Sequence, residues 1–320
     1  MKQKQLHVVY SDQYLDWKLG FGDGSHPTNP VRAKLATNLI SAINPDTKIV
    51  SPTPRRKLRK DLKALFATHD HNYINETLKG NNHEWVGTKP KVAAAGFAMF
   101  RGTIRAVELL LRNKANVVFN PQGAKHHAKF GNGSGFCVFN DMAYAAMTLK
   151  KHGMRPLYID WDIHAGDGVH HMLKGTGIPT ISIHCATGYP GDSELQNSNG
   201  DNVFTNTSYN FNVIQGSGDD VFIDKLDQAA EIIDAYQPDV ILLAAGADGH
   251  TGANNLGGML ANYTSTGFTY AAETIGNLAV KHNAKVLIGG AGGYQPLKET
   301  PETWALVVTT IHNIINKRGN

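Results

Sequence analysis

Short apolar runs rich in β-branched residues recur along the chain: Val8-Val9-Tyr10, Val117-Val118-Phe119, Leu157-Tyr158-Ile159, Ile181-Ser182-Ile183, Val240-Ile241-Leu242-Leu243 and Val286-Leu287-Ile288. Runs this short that stay largely apolar predict strands buried on both faces, and helix-length segments separate most of them. The spacing predicts helices over 141–152, with Met142, Ala145, Ala146 and Leu149 on one side, and over 219–236, with Val221, Leu226, Ala229, Ala230 and Ile233. Two more are predicted over 264–282 and 301–316. Asp219 and Asp220 suit the positive end of a helix, and Pro301 suits a first turn. The pattern predicts an α/β fold with a mainly parallel sheet covered by helices on both faces. Without a repeat or a Pro- or Ser-rich linker to divide them, residues 1–320 are expected to form one domain.

Composition changes this picture little. Of the 320 residues, 41% are apolar and 18% charged, as in a globular chain. The start, MKQKQLHVVY, lacks the apolar stretch of a signal peptide, and no run approaches the roughly 20 residues that cross a bilayer. A cytoplasmic location and no membrane partner are expected. Two cysteines, Cys137 and Cys185, make no disulfide framework, which agrees with a reducing compartment. The net charge is a mild +4, and its densest cluster, Pro54 to Lys60, precedes the helical pattern Leu62, Leu65, Phe66. With no aromatic platform beside it, the cluster reads as a solvated helix start, and nucleic acid is not expected as a partner. Association of two copies is compatible with all of this.

The unusual polar motifs each follow one of the apolar runs. NPQGAKHHAKFGNGSGFCVFND follows Phe119, DWDIHAGDG follows Ile159, HCATGYPG follows Ile183, AAGADGHTG follows Leu243 and GGAGGY follows Ile288. Ligands of open α/β sheets bind beyond the carboxyl ends of the strands, so five loops are expected to meet at one mouth.

Asp160, Asp162 and His164 alternate, which in an extended segment turns all three to one face. Charged groups avoid buried strands unless something offsets the cost of leaving water. Asp162, His164 and Asp248 from the GAD loop offer two carboxylates and an imidazole, a donor set for a divalent transition ion with a position left for water or substrate. Asp160 joins that set or orients a histidine behind it. His126-His127 suits a general base and its partner, each held in its tautomer by a carboxylate such as Asp160 or Asp167. A second pair, His170-His171, falls in a predicted helix and is assigned no chemistry. Tyr294 ends a glycine-rich turn, where a phenol can donate to a developing oxyanion.

In this order, HPTNPVR at 26–32, HHA and GFCVFND within 126–141, Asp160 with DWDIHAGDG, GAD at 246–248 and GGAGGY at 289–294, the motifs resemble the histone deacetylase superfamily, which includes acetoin-utilisation proteins and acetylpolyamine amidohydrolases. The resemblance implies an arginase/deacetylase-type sheet of about eight strands. It also implies zinc, or iron(II), on Asp162, His164 and Asp248. His126 and His127 match the paired histidines, Asp160 and Asp167 the carboxylates behind them, and Tyr294 the oxyanion donor. Gly135, Phe136 and Tyr189 match the walls of an acyl tunnel. A structural potassium ion is implied beside Asp160, Asp162, the backbone of His164, Ser182 and Ile183. Ala165, Ala291 within GGAGGY, and Gln122-Gly123-Ala124-Lys125 depart from the family pattern.

The implied reaction is hydrolysis of an N-acyl amine such as acetyl-lysine or an acetylpolyamine, with His127 exchanging protons, His126 tuning that exchange and Tyr294 donating to the oxyanion. Three other readings compete: Cys137 as a nucleophile, a dimanganese ureohydrolase, and an acyl-binding module without turnover. A polyamine substrate calls for acidic residues at the mouth, and Glu84, Asp192 and Glu194 stand in loops able to supply them.

Overall fold

A computed structural model describes residues 4–20, 26–54, 57–252 and 260–317. Its centre is a nine-stranded sheet: β1 His7–Val9, β2 Lys48–Val50, β3 Val117–Asn120, β4 Pro156–Asp160, β5 Thr180–Cys185, β6 Val203–Phe204, β7 Ser208–Val213, β8 Val240–Ala244 and β9 Lys285–Gly289. The spatial order is β2-β1-β3-β9-β8-β4-β5-β7-β6, parallel throughout except for the antiparallel edge pair β6 and β7. The expected architecture is therefore present, with one strand more than the eight implied.

All six apolar runs are strands. Alternate residues of each divide between two cores, as a two-residue pleat requires. Phe119, Leu157, Ile159, Ile241, Leu243, Val286 and Ile288 pack against α1 Val31–Ile43, α7 Asp219–Tyr236, α8 Ser265–Lys281 and α9 Glu299–Lys317. Val118, Tyr158, Val240, Leu242 and Leu287 face α4 Pro90–Leu111, α5 Asp141–Lys151 and α6 Asp167–Leu173. A third core joins α2 Leu58–Phe66 and α3 His71–Lys79 to the outer side of α4 around Trp17, Trp85 and Phe139.

The four predicted helices appear within two residues of their expected bounds. The long α4 was not predicted: its first half, VAAAGFAMF, is apolar nearly all round and gives no stripe, although the second half carries Arg101, Arg105 and Glu108. Strand β7 was also missed: Asn210 and Asn212 are buried in it, and their amides are satisfied by Val203 O, Ser208 Oγ and Leu195 O. Of the basic cluster, residues 55 and 56 lie outside the described residues, while Lys57 and Lys60 pair with Glu108 at the start of α2. No described helix is long and apolar enough to cross a membrane.

Register positions the chemistry. Asn120 lies opposite Gly289, Gly289 opposite Ala244, Ala244 opposite Asp160, and Asp160 opposite Ser182. Four strands adjacent in space, β3, β9, β8 and β4, thus end at one level, while β5 runs on to Cys185 beside them, and the loops that follow leave the sheet side by side.

Candidate active site

Asp160 is the last residue of β4, so Asp162 and His164 stand in the segment just past the strand, and Asp248 follows β8. All three are buried, and one donor atom of each lies within 4.8 Å of the others. His164 Nδ1 stands 3.1 Å from Asp162 Oδ1 and 2.9 Å from Asp248 Oδ2. Backbone groups hold the carboxylates: Gly292 N donates to Asp162 Oδ2 at 2.6 Å, and Ile163 N to Asp248 Oδ1 at 3.1 Å. A Cβ on Gly292 would sit 2.6 Å from Asp162 Oδ2 and overlap Asp248, so glycine is what leaves this cradle open.

The charges of the cradle ask for a cation. Burial alone would keep His164 neutral, but its bonds to Asp162 and Asp248 outweigh burial and raise it to about 10. Burial likewise raises Asp248, to about 6, helped by the Asp162 charge. Two buried carboxylates thus draw positive charge onto the imidazole between them, and oxygen, oxygen and nitrogen donors at this spacing fit a divalent transition ion.

The loop after β3 carries the histidine pair. His126 Nδ1 is 2.8 Å from Asp160 Oδ2 and His127 Nδ1 is 2.7 Å from Asp167 Oδ1, so each expected carboxylate serves its own ring. Tyr158 OH donates to the same oxygen of Asp160 at 2.6 Å, and Lys129 pairs with Asp167 at 3.0 Å. The two rings differ in charge. For His126 burial opposes protonation, but Asp160 and Asp162 outweigh it and lift the ring to about 9. Burial, and then the charge on His126, push His127 down to about 4. At neutral pH His127 is therefore a neutral imidazole able to accept a proton.

A tunnel of about 450 Å³ opens from this point to the surface, lined by Glu84, His127, Gly135, Phe136, His164, Gly188, Tyr189, Leu260 and Tyr294. Gly135 and Phe136 both have positive φ, 53° and 62°. The ring of Tyr189 meets that of His127 edge-on at 4.8 Å, and its hydroxyl bonds Ser134 Oγ. Tyr294 is 8% exposed, 6.3 Å from the His164 ring between centroids, and burial keeps its phenol protonated far above neutrality. It is thus a permanent donor.

Every site residue expected from the sequence falls at or behind this cluster, including Ser182 and Ile183 on β5 beside Asp160. Two expectations about acids need correcting. Of Glu84, Asp192 and Glu194, only Glu84 reaches the tunnel, where Oε2 accepts from Phe136 N at 2.6 Å. Asp192 instead pairs with His171, and Glu194 with Lys174, because the loop after β5 folds back on α6. Cys137 is not a nucleophile of the usual kind, since burial pushes its thiol up to about 12 and leaves no thiolate at neutral pH. Sequence reasoning missed Arg32, Lys125 and Lys129. Each is a basic residue inside a motif already singled out, and that was the available signal. Ala291 and Ala124, both in segments that depart from the family pattern, adopt φ of 56° and 59°. Ala291 thus stands in a conformation that glycine adopts at less cost.

The histone deacetylase domain family matches residues 26–311 of the chain. The acetoin utilization protein AcuC of Bacillus subtilis (strain 168) is 30% identical, over 93% of this chain and 80% of its own. That of Staphylococcus aureus (strain MRSA252) is 28% identical over 95% and 80%. Histone deacetylase clr6 of Schizosaccharomyces pombe is 29% identical over 91% and 73%. Motifs, strand order and family match agree, and the chain belongs to the histone deacetylase family.

Proposed function

We propose that this protein is a metal-dependent hydrolase that removes an acyl group, acetyl in the simplest case, from a primary amine. One observation carries the reading: the Asp162, His164 and Asp248 donors, the neutral His127 on Asp167 and the phenol of Tyr294 meet at the inner end of a single tunnel. Zinc or iron(II) on those donors supplies a Lewis acid that polarises a carbonyl and acidifies water.

The side chains do the rest. Glu84, Phe136 and Tyr189 receive the amine arm in the tunnel. His127 Nε2 takes a proton from the attacking water while Nδ1–H stays on Asp167, then returns the proton to the leaving amine. Tyr294 donates its hydroxyl to the oxyanion as the carbonyl carbon becomes tetrahedral. His126, charged through Asp160, keeps His127 from protonating too early. A structural potassium ion would be held by Asp160, Asp162, the backbone of His164, Ser182 and Ile183; the burial of Asp160 and Ser182 opposite each other in register supports this reading.

Among the described residues Glu84 is the one carboxylate lining the tunnel, which favours acetyl-lysine, with a single amine arm, over a polyamine with several ammonium groups. The test is a panel of acetyl-lysine peptides and acetylpolyamines assayed with zinc- or iron-loaded protein. Acetate release from the peptides, stopped by chelation and restored by metal, is the expected result. Stoichiometric metal without hydrolysis of any acyl amine would overturn the reading and favour an acyl-binding module.

A further inference from the structure

Behind the reaction centre, on the side away from the tunnel, lies a small cavity of about 20 Å³, room for about one water-sized group. His127, Gly135, Phe136 and Tyr294 line both spaces. A carbonyl carbon held between them has three substituents. Its oxygen faces the donors and Tyr294 and its nitrogen leads out through the tunnel, so the tail of the acyl group points into the inner cavity.

The far wall of that cavity is cationic. Lys125, in the loop before the histidine pair, is 7% exposed, and Arg32 of α1 is 2% exposed. Lys125 Nζ lies 5.5 Å from the centre of the Trp17 ring, and among the described residues it meets no acid within ion-pair distance. Arg32 donates to Gly293 O and stacks over Trp304 at 5.1 Å, but its Nε has no partner. Asp162 is the acid that lines this space, and it belongs with Asp248 to the metal cradle. A divalent ion there would cancel both carboxylates and leave Lys125 and Arg32 with only the more distant field of buried Asp141, whose oxygens are taken up by Thr103 and by the backbone N–H groups of Ala124 and Lys125. Buried charge is costly unless paired, so the cavity is built to receive an anion.

We propose that Lys125, supported by Arg32, makes the inner end of the site a receptor for a carboxylate, so that acyl tails ending in a carboxylate are removed in preference to neutral tails of the same shape. The inference rests on the hydrolase reading above and names its acyl specificity. Acetyl fits with water against the ammonium. A malonyl tail replaces that water with its own carboxylate, and the flexible stem of Lys125 is the part of the wall able to yield. Hydrolysis consumes one water and releases free lysine amine and malonate.

The experiment compares malonyl-lysine with isovaleryl-lysine in one peptide, since –CH₂–CO₂⁻ and –CH₂–CH(CH₃)₂ share a shape and differ in charge. With zinc-loaded wild type, kcat/KM should favour malonyl by about tenfold or more, the usual worth of a charge-assisted hydrogen bond. Lys125→Met should erase or invert that ratio, and Lys125→Arg should keep it. Binding of both fluorescent peptides to zinc-loaded Tyr294→Phe protein gives the same comparison without turnover. A wild-type ratio near one, or a ratio that Lys125→Met leaves unchanged, overturns the proposal while acetyl hydrolysis persists. Failure to hydrolyse any acyl peptide overturns the hydrolase reading instead, and the binding comparison still decides for or against the carboxylate receptor.

Discussion

The chain writes the same dipeptide, His-His, at 126–127 and at 170–171, and folds it into two different things. Both pairs lie beside two acids, and the second pair with Glu194 even groups at metal-ligand spacing. Around the first pair the acids Asp160 and Asp167 are fully buried and each is bonded to one Nδ1, so both Nε2 atoms are left to face chemistry. Around the second pair the partners are Ser208, Asp192 and a half-exposed Glu194 already paired with Lys174. The difference lies in the carboxylates more than in the rings: both acids of the first pair are buried, whereas Glu194 of the second is half exposed. His170 is itself buried, but water screens the exposed Glu194 and reaches the partly buried His171, and the Lys174 ammonium competes for Glu194.

The largest effect that tests this contrast is on metal. Purified protein should hold one equivalent of zinc or iron on the buried donors, and Asp162→Asn with Asp248→Asn should abolish both the bound metal and turnover. His170→Ala with His171→Ala should leave the metal content at one equivalent. Two equivalents in wild type, falling to one in that second variant, would erase the distinction between the pairs. Next in size, Tyr294→Phe should lower kcat by about 100–1000-fold with metal content unchanged, as loss of one oxyanion donor does. Full activity would remove Tyr294 from the mechanism.

The first pair is also pinned by its surroundings, which a stability measurement can read. His69 accepts from Asn140 N at 2.8 Å and its Nδ1 bonds Lys129 O at 3.0 Å, tying both ends of the stretch that follows His127. Burial holds His69 down to about 4 against an ordinary 6.5. The folded ring stays neutral where the unfolded ring takes a proton, so its contribution is complete above pH 6.5 and lost as pH falls toward 4. Linkage puts the loss at roughly 3 kcal/mol. Denaturant titrations between pH 7 and 4.5 should show this slope in wild type and a shallower one in His69→Gln; parallel slopes would deny His69 the role. The smallest effect belongs to the partly exposed member of the second pair: His171→Ala should change stability by no more than about 0.5 kcal/mol and leave acyl hydrolysis intact. A large loss of either would mean that His171 is not the partly solvated contact its exposure indicates.

Local order was legible in the sequence because its signals are local. The short apolar run Leu157-Tyr158-Ile159 and the helical spacing in 219–236 report the element that contains them, and both elements formed as expected. The ordered motifs pointed to the candidate metal donors, the histidine pair and Tyr294 for the same reason, since each is a short run past a strand end. Where the period was hidden the reading failed: the first half of α4 is apolar on every side, and β7 carries asparagines whose partners lie in other segments.

Which loops share a space is a different kind of information. Chain order places Asp192 and Glu194 in a loop next to the site, yet the fold turns them onto α6. The same order leaves Arg32 and Lys125 93 positions apart, and the fold brings both to one cavity. By itself the sequence determined the strands, the helices with clear stripes and the identity of the chemical groups, because propensity, period and donor chemistry belong to single residues and their near neighbours. Only the tertiary structure decided that β3, β9, β8, β4 and β5 lie side by side, the first four ending level, and that two buried cations stand behind the candidate donors, because strand neighbours and burial are set by packing between segments far apart in the chain.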